Sequence, residues 1–547
     1  MTRPLTVALL QLRAFDLAQH REAWDDLLRH IDEAAALDPR PDLIVLPEAS
    51  YPAYFLHSRA AYDAAGVLPD AEVLATLGER ARRYGCSIAA GLVLHGQPGT
   101  PAEGRLENVG VLIGPDGTVR NRTPKAFLWH FDTEWFAPGV THEVFDVAGA
   151  TAGILVCADA RLPEIPRSLA VGGAEVIIDC TAWVSSGRDP AALSTPQVDY
   201  LIPARAIENR TWVVAADKCG PEADTLVYAG RSGICDPDGN WVAQAPADQP
   251  GIVHHTIDLD APRRAPVGRR PELYARAAVP GHVSRAWSLA REPIAAEGGA
   301  ARIAAVALDA SPSAVDLVER VRGLVGSLAQ QGAKLIVLPD LSGSDPRGLS
   351  EAELLPLLQS LSRETRVLVA ALMAERTEGA TYRTAYLLGT GEVLAKHRQT
   401  HLTAREEDLG FTAGDEPAPV IDTAIGNIGL IAGAEGLVPE VARGLKLAGA
   451  EALAWCAGDL GVPLRSLARA RANEERAYVV FAGDTSTAGG GYVVDPTGVV
   501  IGETLAGRTM AMSADMHRML ARWNDMAPGT NPVRDRDPEA FRILFTP

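Results

Sequence analysis

The sequence predicts an α/β protein built as a tandem duplication, and three observations carry that expectation. Apolar runs of strand length alternate with segments of helical periodicity, the pattern of sheets covered by helices. The same order returns in the second half, where Ala305-Val306-Ala307-Leu308-Asp309 echoes Val7-Ala8-Leu9-Leu10-Gln11 and the stretch Lys334 to Asp340 repeats Asp42 to Glu48. Further on, Arg205-Ala206-Ile207-Glu208-Asn209-Arg210 is matched by Arg471-Ala472-Asn473-Glu474-Glu475-Arg476. A period on the order of 270 residues far exceeds the roughly 20 to 50 of solenoid repeats, so each copy should own a core. The expected division is a first domain over 1–278, a linker over 279–300 and a second domain over 301–547. The breakers Pro280-Gly281 and Gly298-Gly299 mark the linker.

In order, the first strand is expected over Leu5 to Leu12, followed by a helix in which Trp24, Leu27, Leu28, Ile31 and Ala35 recur at helical spacing. The second strand, Leu43 to Leu46, is apolar throughout and delivers Glu48 just beyond its C-terminal end. A helix near Ala71 to Arg83, a strand from Ser87 to Leu94 and a hairpin turning through Pro115-Asp116-Gly117 come next. Ile154-Leu155-Val156 is another buried run, and it ends on Cys157. Pro163 suits the first position of a following helix, and Gly172-Gly173 closes it before the strand Ala174 to Cys180. The cysteine is thus placed at a strand-to-helix turn, where the following N–H groups face a developing anion.

Whole-chain properties exclude several classes. The 547 residues are 47% apolar, enough for two large cores, and the net charge of -18 opposes a nucleic-acid partner. No stretch approaches the roughly 18 consecutive apolar residues of a membrane span, and the N-terminus reads as a strand, so a soluble, cytoplasmic protein is expected. Six cysteines without CxxC spacing argue for a reducing compartment, with neither disulfides nor a zinc site. His57, His95 and His130 are scattered, so neither a metal nor another cofactor is expected.

A thiol of ordinary pKa about 8.5 needs a base and a cation nearby to act as a nucleophile at neutral pH. Glu48, Lys125 and Cys157, with their flanks, resemble the nitrilase superfamily of carbon-nitrogen hydrolases. The flanks include Leu46-Pro47-Glu48, Phe136-Ala137-Pro138-Gly139, the Cys-x-Asp-x-Arg-x-Pro-Glu run from Cys157, and Arg205 to Asn209. The stretches Gly230 to Gly239 and Arg269 to Tyr274 match later motifs of the family. The resemblance implies tandem αββα four-layer sandwiches, an intrachain pseudo-dimer of the two copies, and the capacity for further homo-oligomers. It also implies that Glu48 is a general base, that Cys157 attacks a small amide, carbamoyl or nitrile substrate, and that Lys125 with the Ala158 N–H holds the oxyanion.

Glu134 matches the family's second glutamate, with Asp132 two residues before it. Tyr54, Trp129 and Trp183 are candidate pocket walls, while Asp159, Arg161, Glu164 and Arg167 are expected to form an ion-pair network. Alanine follows the nucleophile where relatives often carry Tyr or Trp, and Asp159 inclines the expectation toward amides or carbamoyl compounds. A nitrile hydrolase using the same residues and a noncatalytic regulatory protein are the alternatives. In the second copy Gly433 stands at the nucleophile and Asp340 at the base, with Gln399 or Lys396 at the lysine, so that copy is expected to be noncatalytic.

Overall fold

Eight successive buried residues, Leu5 to Leu12, put strand β1 (Pro4–Arg13) in the middle of its sheet, where both faces must be apolar. The computed structural model describes residues 3–140, 142–261, 265–294, 299–309, 314–342, 349–485 and 490–546. The chain forms two units, Met1–Arg264 with Ala527–Thr530, and Ala265–Met526 with Asn531–Pro547.

In the first unit the strands after β1 are β2 (Leu43–Val45), β3 (Ser87–His95), β4 (Leu106–Ile113), β5 (Val119–Pro124), β6 (Val144–Val147) and β7 (Ala150–Val156). They are followed by β8 (Val176–Cys180), β9 (Trp212–Ala216), β10 (Lys218–Glu222), β11 (Leu226–Ala229), β12 (Gly233–Cys235), β13 (Trp241–Gln244) and β14 (Gly251–Asp258). One sheet runs β11-β10-β1-β2-β3-β4-β5, with β14 also paired to β1, and the other runs β13-β12-β9-β8-β7-β6. Strands β1, β2 and β3 are parallel neighbours, as are β7, β8 and β9, which sends their C-terminal ends in common directions within each sheet.

Side-chain alternation assigns the layers. Leu9 and Val45 from the first sheet meet Ile154, Ile178 and Val214 from the second in an inner core. Their neighbours Leu10 and Ile44 point the other way, onto Trp24, Leu27 and Ile31 of the helix His20–Ala34 and Val73 and Leu77 of the helix Asp70–Tyr84. The second of these helices carries Asp70 and Glu72 in its first turn and Arg82 and Arg83 in its last, complementing its dipole, and Gly85 ends it at φ 64°. Helices Glu164–Val171 and Ile202–Asn209 cover the outer face of the second sheet. The result is a four-layer αββα sandwich. Each fully buried Leu or Ile stabilises it by roughly 1.5–3 kcal/mol before entropy is counted.

The second unit repeats the plan with two six-stranded sheets. Strands Ala300–Ala307 and Ala333–Asp340 are parallel neighbours in one, and Gly426–Ala432, Ala452–Cys456 and Tyr478–Ala482 lie side by side in the other. The division falls earlier than the expected linker, because residues from 265 onward pack with the second unit. Tyr274 and Ala277 cluster with Val438, Tyr274 Oη lies 2.9 Å from His401 Nε2, and Arg270 donates to the carbonyls of Thr400 and Gly414. The stretch matching a late family motif therefore contributes its side chains to the second unit. Gly298 of the expected linker lies outside the described residues. Among the described residues, no helix is long and apolar enough to cross a membrane.

Candidate active site

Glu48 lies three residues beyond β2 in a tightly folded segment. Its N–H donates to Thr181 O at 3.1 Å, Ser50 N donates to Gly91 O, and Ala49 takes a φ of 43°. Position 91 must be glycine for this approach, since a Cβ there would come within 2.4 Å of Pro47 O and 2.5 Å of Glu48 Cα. The carboxyl is fully buried, and its Oε1 accepts from Lys125 Nζ at 2.7 Å and from Asn108 Nδ2 at 2.6 Å. Burial pushes the Glu48 pKa above the usual carboxylate range, against the opposing pull of Lys125 and a hydrogen bond with the Cys157 thiol.

Lys125 follows β5 directly. Its backbone is held at both ends, N–H to Asn108 O and C=O from Gly139 N, each at 2.8 Å. Its ammonium has no solvent contact and bridges Glu48 Oε1 and Asp132 Oδ2, both at 2.7 Å, with the Tyr54 ring 5.6 Å away. Burial favours the neutral amine, but Asp132 and Glu48 outweigh it and the pKa rises well above the lysine norm. Asp132 also accepts from Tyr54 Oη at 2.7 Å and from Trp129 N at 2.8 Å.

Cys157 follows β7 directly and opens the turn Cys157–Arg161 with a φ of 47°, a left-handed conformation that a side chain adopts at a cost of about 1–3 kcal/mol. Its N–H donates to Asp179 Oδ1 at 2.9 Å, its carbonyl accepts from Gln197 Nε2 at 2.8 Å, and its thiol lies 3.7 Å from Ala182 O. The residue is 7% exposed. Burial and the Glu48 charge push the thiol pKa well above its ordinary value, with Lys125 pulling the other way. The resting group is therefore a neutral thiol beside a carboxyl of raised pKa. Burial likewise raises the Asp179 carboxyl far above the usual range. Ala158, buried in the first turn after Cys157, has its N–H where helical turns leave donors without an internal partner.

The structure brings Glu48, Lys125, Cys157, Ala158 and Tyr54 into one buried cluster. It does not bring Glu134 there. Glu134 is exposed on the short helix Asp132–Trp135, and Asp132 instead supplies the carboxylate at Lys125. Two residues along a helix is about 200° of rotation, so only one of the two acids can face inward. Trp183 is fully buried and its backbone N–H donates to Asp217 Oδ1, while Trp129 is half-buried with the Arg161 guanidinium 4.2 Å over its ring.

The expected ion-pair network at 159–167 is corrected at two positions. Asp159 accepts from three backbone N–H groups, those of Ala126, Phe127 and Val156. His142 Nε2 lies 3.9 Å from Asp159 Oδ2, and Arg161 packs over the Trp129 ring instead of pairing with Asp159. Asp159 thereby ties the segment after Lys125 to the turn at Cys157. Asn108, Asp179 and Gln197 had no local signal in the sequence, because each reaches the site from a separate strand or turn. Among the described residues, no group of three or more His, Cys, Asp or Glu side chains is arranged to hold a metal ion.

In the second unit Gly433 opens the equivalent turn at φ 50°, after the strand Gly426–Ala432. Gln399 stands where Lys125 does: its N–H donates to Arg383 O and its carbonyl accepts from Gly414 N, repeating the backbone bonds of Lys125. Lys396 is turned away to Glu375, with its side chain 40% exposed. Gln399 Nε2 donates to Glu406 Oε2 at 3.0 Å, and Arg383 bridges Asp340 at 2.6 Å and Glu406 at 2.7 Å. A Cβ on residue 433 would come within 2.3 Å of Gln399 Oε1. The glutamine thus fills the room a nucleophile would need.

A family model described as carbon-nitrogen hydrolase matches residues 6–266 and 302–522. An (R)-stereoselective amidase from a Pseudomonas species is 32% identical over 43% of this chain and 79% of its own length. A nitrilase from Pyrococcus abyssi is 30% identical over 43% of this chain and 86% of its own. The crystal structure of an amidase from Nesterenkonia sp. is 26% identical, covering 47% of this chain and 93% of that one, with a TM-score of 0.37. With two matches to one family model and relatives of these kinds, the chain belongs to the carbon-nitrogen hydrolase family of the nitrilase superfamily, as a tandem duplication, and is a hydrolase of carbon–nitrogen bonds.

Proposed function

We propose that the first unit hydrolyses a small amide or N-carbamoyl compound through a thioester at Cys157, with Glu48 as proton carrier and Lys125 as oxyanion holder. The observation that carries this reading is the Lys125 ammonium, fixed at 2.7 Å from both Glu48 and Asp132 beside the thiol of Cys157. A neutral thiol and a carboxyl of raised pKa suit a proton transfer that accompanies attack. The Cys157 proton passes to Glu48 as the sulfur–carbon bond forms, and the carbonyl oxygen becomes an anion facing the Lys125 ammonium and the Ala158 N–H. Glu48 then returns its proton to the leaving nitrogen, the carbon–nitrogen bond breaks, and a thioester remains. Water attacks that thioester, losing its proton to Glu48. The carbon–sulfur bond breaks, the sulfur is reprotonated and a carboxylic acid leaves.

Similarity to an (R)-stereoselective amidase and to a 2-oxoglutaramate amidase of Paenarthrobacter nicotinovorans supports amides as the substrate class. The test is ammonia release from a panel of small amides, carbamoyl compounds and nitriles by wild type and Cys157→Ala. Release from amides by wild type alone supports the reading. Release from nitriles without the matching amides would favour nitrile hydrolysis, and turnover retained in Cys157→Ala would remove the mechanism.

A further inference from the structure

Gln197 was not singled out by any motif, yet it is 2% exposed and its side chain meets the nucleophile twice. Nε2 lies 2.8 Å from Cys157 O and 4.0 Å from Cys157 Sγ. The orientation of the amide follows from its partner, since a carbonyl oxygen only accepts and must face the NH2. Gln197 opens a one-turn π-helix, Gln197–Leu201, that leads into the helix Ile202–Asn209. Such turns widen the backbone locally and re-aim a side chain, often at functional sites.

The two copies of the domain separate a structural requirement from a chemical one. In both, the residue at this turn has a positive φ, and in both its carbonyl takes a side-chain N–H. In the second unit the donor is the indole of Trp455, 2.9 Å from Gly433 O, on the strand position matching Asp179. From the start of this helical segment to the matched arginine the first unit runs Gln197 to Arg205 and the second Leu464 to Arg471, one residue shorter for want of the π-turn, so the residue in the place of Gln197 is Leu464, which opens the regular helix Leu464–Glu475. Capping the carbonyl therefore needs no π-turn and no glutamine. What distinguishes the first unit is a donor that reaches the sulfur as well.

We propose that Gln197 is a positioning residue of the nucleophile: one amide group holds the Cys157 carbonyl and directs N–H density at the sulfur, favouring the thiolate as it forms. This rests on Cys157 being the nucleophile. It adds a further N–H near the sulfur, beside the Lys125 ammonium, and it comes from the turn Gln197–Leu201 rather than the lysine segment.

The experiment is the pH dependence of Cys157 alkylation by iodoacetamide, read by peptide mass, in wild type, Gln197→Met and Gln197→Glu, alongside steady-state kinetics on a turned-over amide. Met keeps the volume and removes the donor. Its apparent thiol pKa should rise by about one unit and kcat fall about ten- to a hundredfold, with KM within about twofold. Glu removes the donor and adds a carboxylate, so its alkylation profile should move further up than that of Met. Should the Met variant fail to fold, Gln197→Leu, which also removes the donor without adding charge, takes its place. An unshifted profile in the folded variants, or a fall in kcat without a shift, would reduce Gln197 to a clamp on the backbone and overturn the proposal. Amide turnover retained in Cys157→Ala would instead remove the nucleophile assignment, a result the alkylation profiles do not touch.

Discussion

The phenol of Tyr54 donates to Asp132 at 2.7 Å, and the other oxygen of the same carboxylate holds the Lys125 ammonium at 2.7 Å. Tyr54, six residues after Glu48, is thus wired to the lysine through one acid. Tyr54 is held in turn by Glu222, which accepts the N–H groups of Tyr54 and Phe55 at 2.8 and 2.7 Å. Tyr54→Phe leaves a buried carboxylate oxygen one donor short, at a cost of about 1–3 kcal/mol. We expect a roughly tenfold fall in kcat with little change in KM, measured by steady-state ammonia release.

Asp132 and Glu134 should separate cleanly under mutation. Asp132→Asn removes one of the two charges that hold Lys125 and should cut kcat/KM by about a hundredfold or more, as expected for losing roughly 3 kcal/mol of electrostatic organisation. Glu134→Gln changes an exposed side chain and should stay within about twofold of wild type. Reversed results would return the second acid to Glu134.

The pH profile follows from the sign of the Glu48 shift. Its carboxyl must be ionised to take the thiol proton, and burial raises its pKa, so kcat/KM should fall on the acid side at a pH above the ordinary carboxylate value of about 4.3. Glu48→Gln should abolish turnover and, by removing one of the two carboxylates that hold the buried Lys125 ammonium, lower the thermal unfolding temperature as well. An acid limb at or below about 4 would contradict the buried, raised carboxyl.

In the second unit the sign is opposite. The Glu435 carboxyl is fully buried, which alone would raise its pKa, but His397, His401 and the N–H of Thr400 bring it down to about 2. A depressed acid stabilises the fold above its unfolded pKa of 4.5, and that contribution is lost as pH falls toward about 2. Thermal unfolding of Glu435→Gln should therefore be less sensitive to pH than wild type between those values, with up to about 3 kcal/mol at stake.

The closed second site predicts that a nucleophile cannot simply be restored. Gly433→Cys places a Cβ against Gln399 Oε1 at a positive φ, so it should lower stability by about 1–3 kcal/mol and add no turnover in a Cys157→Ala background. Turnover in that double variant would show that the second site has kept its chemistry.

Much of the fold could be read from pattern alone. The apolar runs at β1, β2 and β7 and the helical spacing of Trp24, Leu27 and Ile31 follow from burial on one or two faces, which leaves its mark residue by residue. The choice of Asp132 over Glu134 could not be read, since both copies carry acids at these two positions and the rotation of a one-turn helix is set by its docking. Asn108, Asp179 and Gln197 reach Glu48 and Cys157 across 60, 22 and 40 residues of chain, and polar contacts of that range leave no local periodicity. The stretch 265–278 kept its motif order while its packing went to the second unit, because order along the chain does not fix which core a segment joins.

The central claim is a covalent acyl-enzyme on Cys157, and mass spectrometry on intact protein and its peptides tests it most directly. Wild type, Glu48→Gln and Cys157→Ala would be quenched in acid during incubation with an amide that is turned over. We expect the acyl mass on the Cys157 peptide of wild type, little or none in Glu48→Gln and none in Cys157→Ala. An acyl group found on another residue, or hydrolysis continuing in Cys157→Ala, would contradict the account.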